Sequence, residues 1–251
     1  MEYQTPEAAQ NMSGLRLALT AGVPAPYSMS ARAIFDHHNI AYTPVLQSGG
    51  GRNEALVAWT KHRNAPVAVY EQEAPRTGWL EILHLAERLG SGPSLIPVDL
   101  EQRMQMFAIA NELLNEGGLI WNLRLLMLGM GGPERAAAAA KKNPMYQDYG
   151  YSEAAKEAAL ARSQEILTML TEHARRQPGH YLIGDQFTAL DIYWVYFSNL
   201  CETIDDQRCP MPDFLRQGYA ASSAALGGCD ANLIQRRDWV LANHLSSPMT
   251  F

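Results

Sequence analysis

The chain has 251 residues, enough for one large domain or two smaller ones with a sizeable core. Hydrophobic residues at 47% and charged residues at 18% are the composition of a folded globular protein and exclude a disordered one. A formal charge of −6 without any Lys/Arg block argues against nucleic acid as a partner, and no apolar run is long enough to span a membrane.

Residues 1–13 form a polar, slightly acidic extension. They lack the basic start and apolar core of a secretory signal, so the expected compartment is the cytoplasm. LRLALT (15–20), apolar and flanked by Gly14 and Gly22, predicts a strand. YSMSARAIFDHHN then has helical spacing, with Ala31, Ile34 and Phe35 on one face. Its His37 and His38 read as exposed helix residues, with no metal-binding geometry. Residues 40–46 predict a second strand, and Pro44 suits a sheet edge. Residues 48–53 are a glycine-rich loop, 66–70 a third strand, and 77–90 a helix stopped by Gly90. Strands alternating with helices predict an α/β unit over 14–90 with at least one parallel pair.

A linker is expected at 91–97, and beyond it the strand signals cease. The periodicity predicts a long helix from about 99 to 128, bent at Gly117-Gly118. Residues 129–151 predict a long connection holding one short helix, and 152–177 another helix. Residues 188–200 are apolar almost all round, which marks a helix buried in the middle of a bundle. The expected architecture is an α/β domain followed by an all-helical domain over 98–251. Cys201, Cys209 and Cys229 read as free thiols: the count is odd and no CxxC spacing supports a disulfide framework or zinc. The first 200 residues contain no thiol.

Three stretches carry a resemblance to a known family. APYSMSARAIFDHHNIAYTPV looks like the catalytic loop, first helix and second strand of the glutathione transferase superfamily. RNAPVAVY is similar to the segment where that family opens its third strand on a cis-proline, which puts Pro66 at the cis bond. HYLIGDQFTALDIYWVYF resembles the family's buried helix, with Thr188 as N-cap and Asp191 reaching back from three residues on. The resemblance spans roughly residues 14–250. It implies a thioredoxin-like N-terminal domain, a helical C-terminal domain, a homodimer, and glutathione as co-substrate without a metal.

The resemblance also implies roles. A cis bond at Ala65–Pro66 would turn the Ala65 N–H and C=O toward an extended peptide, which pairs as an added strand. Ala25 falls where thiol-using relatives carry cysteine, so disulfide exchange is excluded. A transferase needs only a donor that holds the thiolate of glutathione. Ser28 in the first helical turn is the leading candidate, with Tyr27 and Thr20 as alternatives. Relatives bind the γ-glutamyl end with an acid and a serine; the matching positions here are Thr77 and Gly78, preceded by Arg76. Thr77 offers a hydroxyl and the helix start offers N–H groups for a carboxylate. The acceptor, a hydrophobic small molecule, is expected between the domains against Trp121, Arg124, Leu125, Tyr146 and Tyr149. A lone Arg124 in an apolar helix either pairs with a core acid or meets an anionic substrate. The implied activity is conjugation, cleavage or isomerisation. The alternative is a protein of the same fold that binds partners without glutathione chemistry.

Overall fold

Strand β1 (Leu15–Thr20) is the middle of a three-stranded sheet ordered β2-β1-β3, completed by β2 (Tyr42–Gln47) and β3 (Val67–Tyr70). β1 runs parallel to β2 and antiparallel to β3. The chain adopts this sheet because its apolar runs are short, β-rich and cut by glycine or proline. The computed structural model describes residues 1–251. It divides into two units, Met1–Leu95 with Met249–Phe251, and Ile96–Pro248.

In the first unit, helices α2 (Pro26–His37) and α4 (Trp79–Leu89) pack on each other on one side of the sheet, with α2 also against β1. α1 (Pro6–Ala9) and α3 (Glu54–Thr60) lie on the other side, where Ala9, Leu56 and Trp59 meet Ala18, Val45, Val67 and Val69. Strand alternation turns Leu15, Leu17 and Leu19 the opposite way. Fully buried side chains such as Leu17, Ile34 and Phe35 each contribute about 1.5–3 kcal/mol relative to exposure.

Several expectations are corrected here. The polar extension 1–13 joins the sheet: Gln4 donates to Pro44 O and accepts from Leu46 N–H, both at 2.9 Å, extending the β2 edge. Pro44 accepts there without needing to donate, which is why an edge tolerates it. α3 was not foreseen, because its seven residues, about two turns, carry too few apolar repeats. His38 is buried instead of exposed. Its Nε2 lies 3.1 Å from Glu87 Oε1, and the Glu87 carboxylate also accepts from Leu95 N–H and the Ser94 hydroxyl, each at 2.7 Å. A Cβ at Gly90 would sit 2.4 Å from His38 Cβ, so that glycine both stops α4 and admits the ring.

The second unit is helical: α5 (Leu100–Leu114), α6 (Leu119–Leu128), α7 (Pro133–Ala140), α8 (Met145–Asp148), α9 (Glu153–Arg176), α10 (Ala189–Phe197), α11 (Asp213–Leu226) and α12 (Ala231–His244). The expected long helix is two helices. Gly117 takes φ +76°, and the Asn122 side chain donates to Gly117 O and Gly118 O at 2.9 Å, closing a break and not a bend. The connection 129–151 holds two short helices, α7 and α8. Every residue of α10 is buried, and Trp194 Nε1–H donates to Leu233 O at 2.9 Å. Its start is held by Asp191, which accepts from Leu182 N–H (2.8 Å), Thr188 N–H (2.9 Å) and the Thr188 hydroxyl (2.9 Å). Burial pushes the Asp191 carboxyl up to about 6, against the lowering effect of those hydrogen bonds. No helix is long and apolar enough to cross a membrane.

Candidate functional site

The end of β1 carries a closed polar network. Thr20 N–H donates to Ser28 Oγ at 3.0 Å, the Ser28 hydroxyl points to Thr20 Oγ1 at 3.4 Å, and the Thr20 hydroxyl donates to Gln47 Oε1 at 2.7 Å. Gln47 can accept only at Oε1, because its amide nitrogen faces two carbonyls, Ser48 O at 3.0 Å and Arg63 O at 3.3 Å. Asn53 stitches the same loop, accepting from Ser48 N–H at 3.0 Å and donating to Ser48 O at 2.9 Å. Ser28 and Gln47 are buried. The structure therefore brings Thr20 and Ser28 together, but it turns their hydroxyls toward each other and toward Gln47. Both hydroxyl protons have protein acceptors. Gln47 was missed in the sequence; its only local signal is a polar residue ending an apolar strand.

Next to this network α2 begins. Ala25 is its N-cap, no side chain caps it, and Pro26 opens its first turn. The first intrahelical bond runs from Met29 N–H to Ala25 O at 2.9 Å. Tyr27 is half-buried, and its carbonyl accepts from the Ser30 hydroxyl at 3.1 Å. The helix start presents positive partial charge that no carboxylate answers. Across the sheet, β1 pairs with β3 so that Ala18 faces Val67. Continuing that register by two residues sets Ala65 level with Thr20. Ala65 is half-exposed, and no backbone hydrogen bond engages its N–H or C=O. The Ala65–Pro66 peptide bond is cis.

The start of α4 is arranged differently. Thr77 N–H and Gly78 N–H both donate to Glu81 Oε2 at 3.0 Å. Those two backbone bonds, Gly78 first, hold the Glu81 carboxyl below its ordinary range. Arg76 pairs by its backbone with Ala68 and by its guanidinium with Glu73 Oε2 at 3.0 Å. Glu73 also takes Arg88 at 2.6 Å, and that bond above all lowers its pKa. The Thr77 and Gly78 backbone N–H groups and the Arg76 guanidinium are thus already engaged within the protein. Glu81 was missed, although Gly78-x-x-Glu81 has the spacing of a helix capping box.

In the helical unit, the Trp121 and Tyr149 rings lie 4.7 Å apart and the Arg124 guanidinium sits 6.0 Å above the Tyr149 ring. Tyr219, also missed, hydrogen-bonds to Arg124; burial raises its phenol. Tyr146 instead ties α8 to α6 by donating to Leu128 O at 2.9 Å, and Leu125 is buried in the core. Trp121, Arg124 and Tyr149 form one group, with Tyr146 and Leu125 outside it. The three thiols are unpaired with one another. Burial pushes Cys209 up to about 11 and Cys229 up to about 12, and raises Cys201 as well. No group of three His, Cys, Asp or Glu side chains is placed to hold a metal ion.

No family model and no curated protein matches the sequence. Solved structures do match. A glutathione S-transferase of Methylobacterium radiotolerans, in complex with glutathione sulfonate, superposes with a TM-score of 0.63 at 14% identity, covering 94% of this chain and 97% of that one. The beta-etherase LigF of Sphingobium gives 0.59 at 14% identity, covering 90% and 99%. A maleylacetoacetate isomerase of Methylobacterium extorquens, with malonate and glutathione bound, gives 0.56 at 14% identity, covering 91% and 92%. At such identities the likeness is one of architecture. The chain has the glutathione transferase fold, a thioredoxin-like unit followed by a helical one.

Proposed function

From that fold we propose that the protein binds a thiol peptide of the glutathione class and uses its sulfur to conjugate, cleave or isomerise an apolar small molecule. The observation that carries this reading is the placement of Ala65. Its backbone N–H and C=O make no hydrogen bond within the protein, and the strand register extends to set it level with Thr20, whose N–H donates to Ser28 in the first turn of α2. An extended peptide paired at Ala65 would direct a cysteine sulfur to that turn. A free thiol titrates near about 8.5, and positive partial charge at a helix start favours its thiolate. With the Ser28 and Thr20 hydroxyls committed to the Gln47 network, they act here as positioning residues. They hold the turn against β1, and the backbone of the turn meets the sulfur. The thiol proton leaves to water; the thiolate then forms a C–S bond to an electrophilic carbon of the acceptor, as a leaving group departs with the electron pair or, in an addition, as the displaced π pair takes a proton from water. Trp121, Arg124 and Tyr149 offer an aromatic face and a cation suited to a ring bearing an anionic or electron-rich group. We assign the working form to a cytoplasmic homodimer by analogy of fold.

A second reading is favoured by Ala25 and Glu81: a protein of this fold that binds ligands without thiol chemistry. Calorimetric titration separates the two. Saturable heat with glutathione or cysteinylglycine is the result expected of the first. No heat and no thermal shift with either peptide at millimolar concentration leaves the second.

A further inference from the structure

We propose that Cys229 and Cys201 are an oxidisable pair: a low-molecular-weight disulfide enters the cavity beside Cys229, and Cys201 resolves the adduct into an internal disulfide. The helical unit carries a cavity of ≈ 590 Å³ between α9 and the α11–α12 turn, ample for a small molecule. Gln164, Thr168 and Arg175 line one wall, and Gly227, Gly228 and Cys229 line the other. The two glycines take φ +83° and +94°, and a Cβ at either would meet no atom within 4 Å. The approach to Cys229 past them is open. Cys229 is part-exposed, whereas Cys201 is fully buried.

Helix register brings the two thiols together. Asp191, near the start of α10, feels the charge of Arg236 in the middle of α12. One turn further along α10, Trp194 Nε1–H donates at 2.9 Å to Leu233 O, which lies nearer the start of α12. The two helices therefore run antiparallel. Continuing α10 through the short turn Ser198–Leu200 reaches Cys201, and following α12 back past its first residue reaches Cys229. Arg237 donates to Glu202 O at 2.7 Å, and the charges of both residues act on both thiols. Cys201 also feels Cys229 directly. Cys209 stands apart, accepting from the Asn199 amide at 3.6 Å, and does not line the cavity.

The Cys229 thiol gives its proton to water, and its sulfur bonds to one sulfur of the external disulfide. The external S–S bond breaks, and the departing thiolate takes a proton. Cys201 in turn loses its proton and attacks the Cys229 sulfur, expelling the second external thiol. Two protein thiols are oxidised, and one external disulfide is reduced to two thiols. Burial keeps both protein thiols protonated, so the exchange is slow and needs the disulfide in excess.

The test uses the full chain and hydroxyethyl disulfide, which is no peptide, so its outcome is independent of the thiol-peptide reading. After incubation, denaturation and alkylation, mass mapping should find Cys201 joined to Cys229 and only Cys209 alkylated. Without the disulfide all three should be alkylated. Cys201→Ser should stop at a hydroxyethyl adduct on Cys229, and Cys229→Ser should leave Cys201 as a thiol. Three alkylated cysteines in the treated wild type would overturn the proposal, whatever the variants do. So would oxidation of Cys209 ahead of the pair, or loss of the Cys201 thiol in Cys229→Ser. The oxidised wild type should also unfold at a higher urea concentration than the reduced one. A lower midpoint would overturn the fit of the pair to the fold.

Discussion

α2 and α4 pack side by side on one face of the same sheet, yet their first turns have opposite fates. α2 starts on Ala25 with no side-chain acceptor, whereas α4 starts under the carboxylate of its own Glu81. The physics is common to both, since each helix exposes N–H groups that want an anion. One chain segment supplies that anion and the other does not. α10 in the helical unit shows a third case, where the anion is supplied by Asp191 and fully buried. The difference teaches that a helix start is a site only where the chain withholds its own cap.

Breaking the buried cap has the largest expected effect. Asp191→Ala strands the Leu182 and Thr188 N–H groups in the core, at about 1–3 kcal/mol each, or about 4 kcal/mol in all. Urea denaturation should show that loss; a cost below that of Glu81→Ala would contradict the role given to burial. The pH dependence has a definite sign. The Asp191 pKa is raised from 3.8 to about 6, so the proton-linked part of its contribution to stability is full below the unfolded value and is lost as pH rises through about 6, while the hydrogen bonds to the carboxylate remain. Asp191→Asn should remove that slope between those two values.

Ser28→Ala leaves the part-buried Thr20 N–H without an acceptor and should cost about 1 kcal/mol in the same assay. Because the hydroxyl is turned inward, the pKa of a bound thiol should stay put. A rise in that pKa would return Ser28 to the role of thiolate donor. Ala25→Asp makes α2 resemble α4. It should stabilise the fold by about 0.5–1 kcal/mol through the new cap, and weaken thiol-peptide binding measured calorimetrically. Tighter binding would refute the equivalence of the two helix starts.

Smallest is Glu81→Gln, with a stability loss of about 0.5 kcal/mol, since the side chain is exposed and screened. The Glu81 pKa is lowered, so this contribution is present above the ordinary carboxylate value and disappears as pH falls through the lowered one. A melt at neutral pH and one in acid should therefore differ by less in the variant.

The architecture was legible because periodicity records which face of each element is buried. LRLALT became the central strand and the apolar run after Thr188 became the buried helix α10. What stayed hidden depends on partners distant in sequence. His38 is buried by Glu87, 49 residues away, and Thr20 is committed by Gln47, 27 residues away. No local pattern states those distances. The break between α5 and α6 was misread as a bend because two glycines permit either, and the Asn122 side chain decides. Thr20, Ser28, Thr77 and Gly78 were singled out by the resemblance, but the direction of their donors was not readable. Glu81 is legible as a cap from its spacing alone, three residues past Gly78 at a helix start.

The central claim is that the backbone start of α2 holds a thiolate beside Ala65. Titrating the thiolate absorbance of bound cysteinylglycine against pH tests it most directly. The account predicts a bound thiol pKa below the free value of about 8.5, equal in wild type and Ser28→Ala, and raised in Ala25→Asp. A bound thiol that titrates as it does in free solution would contradict it.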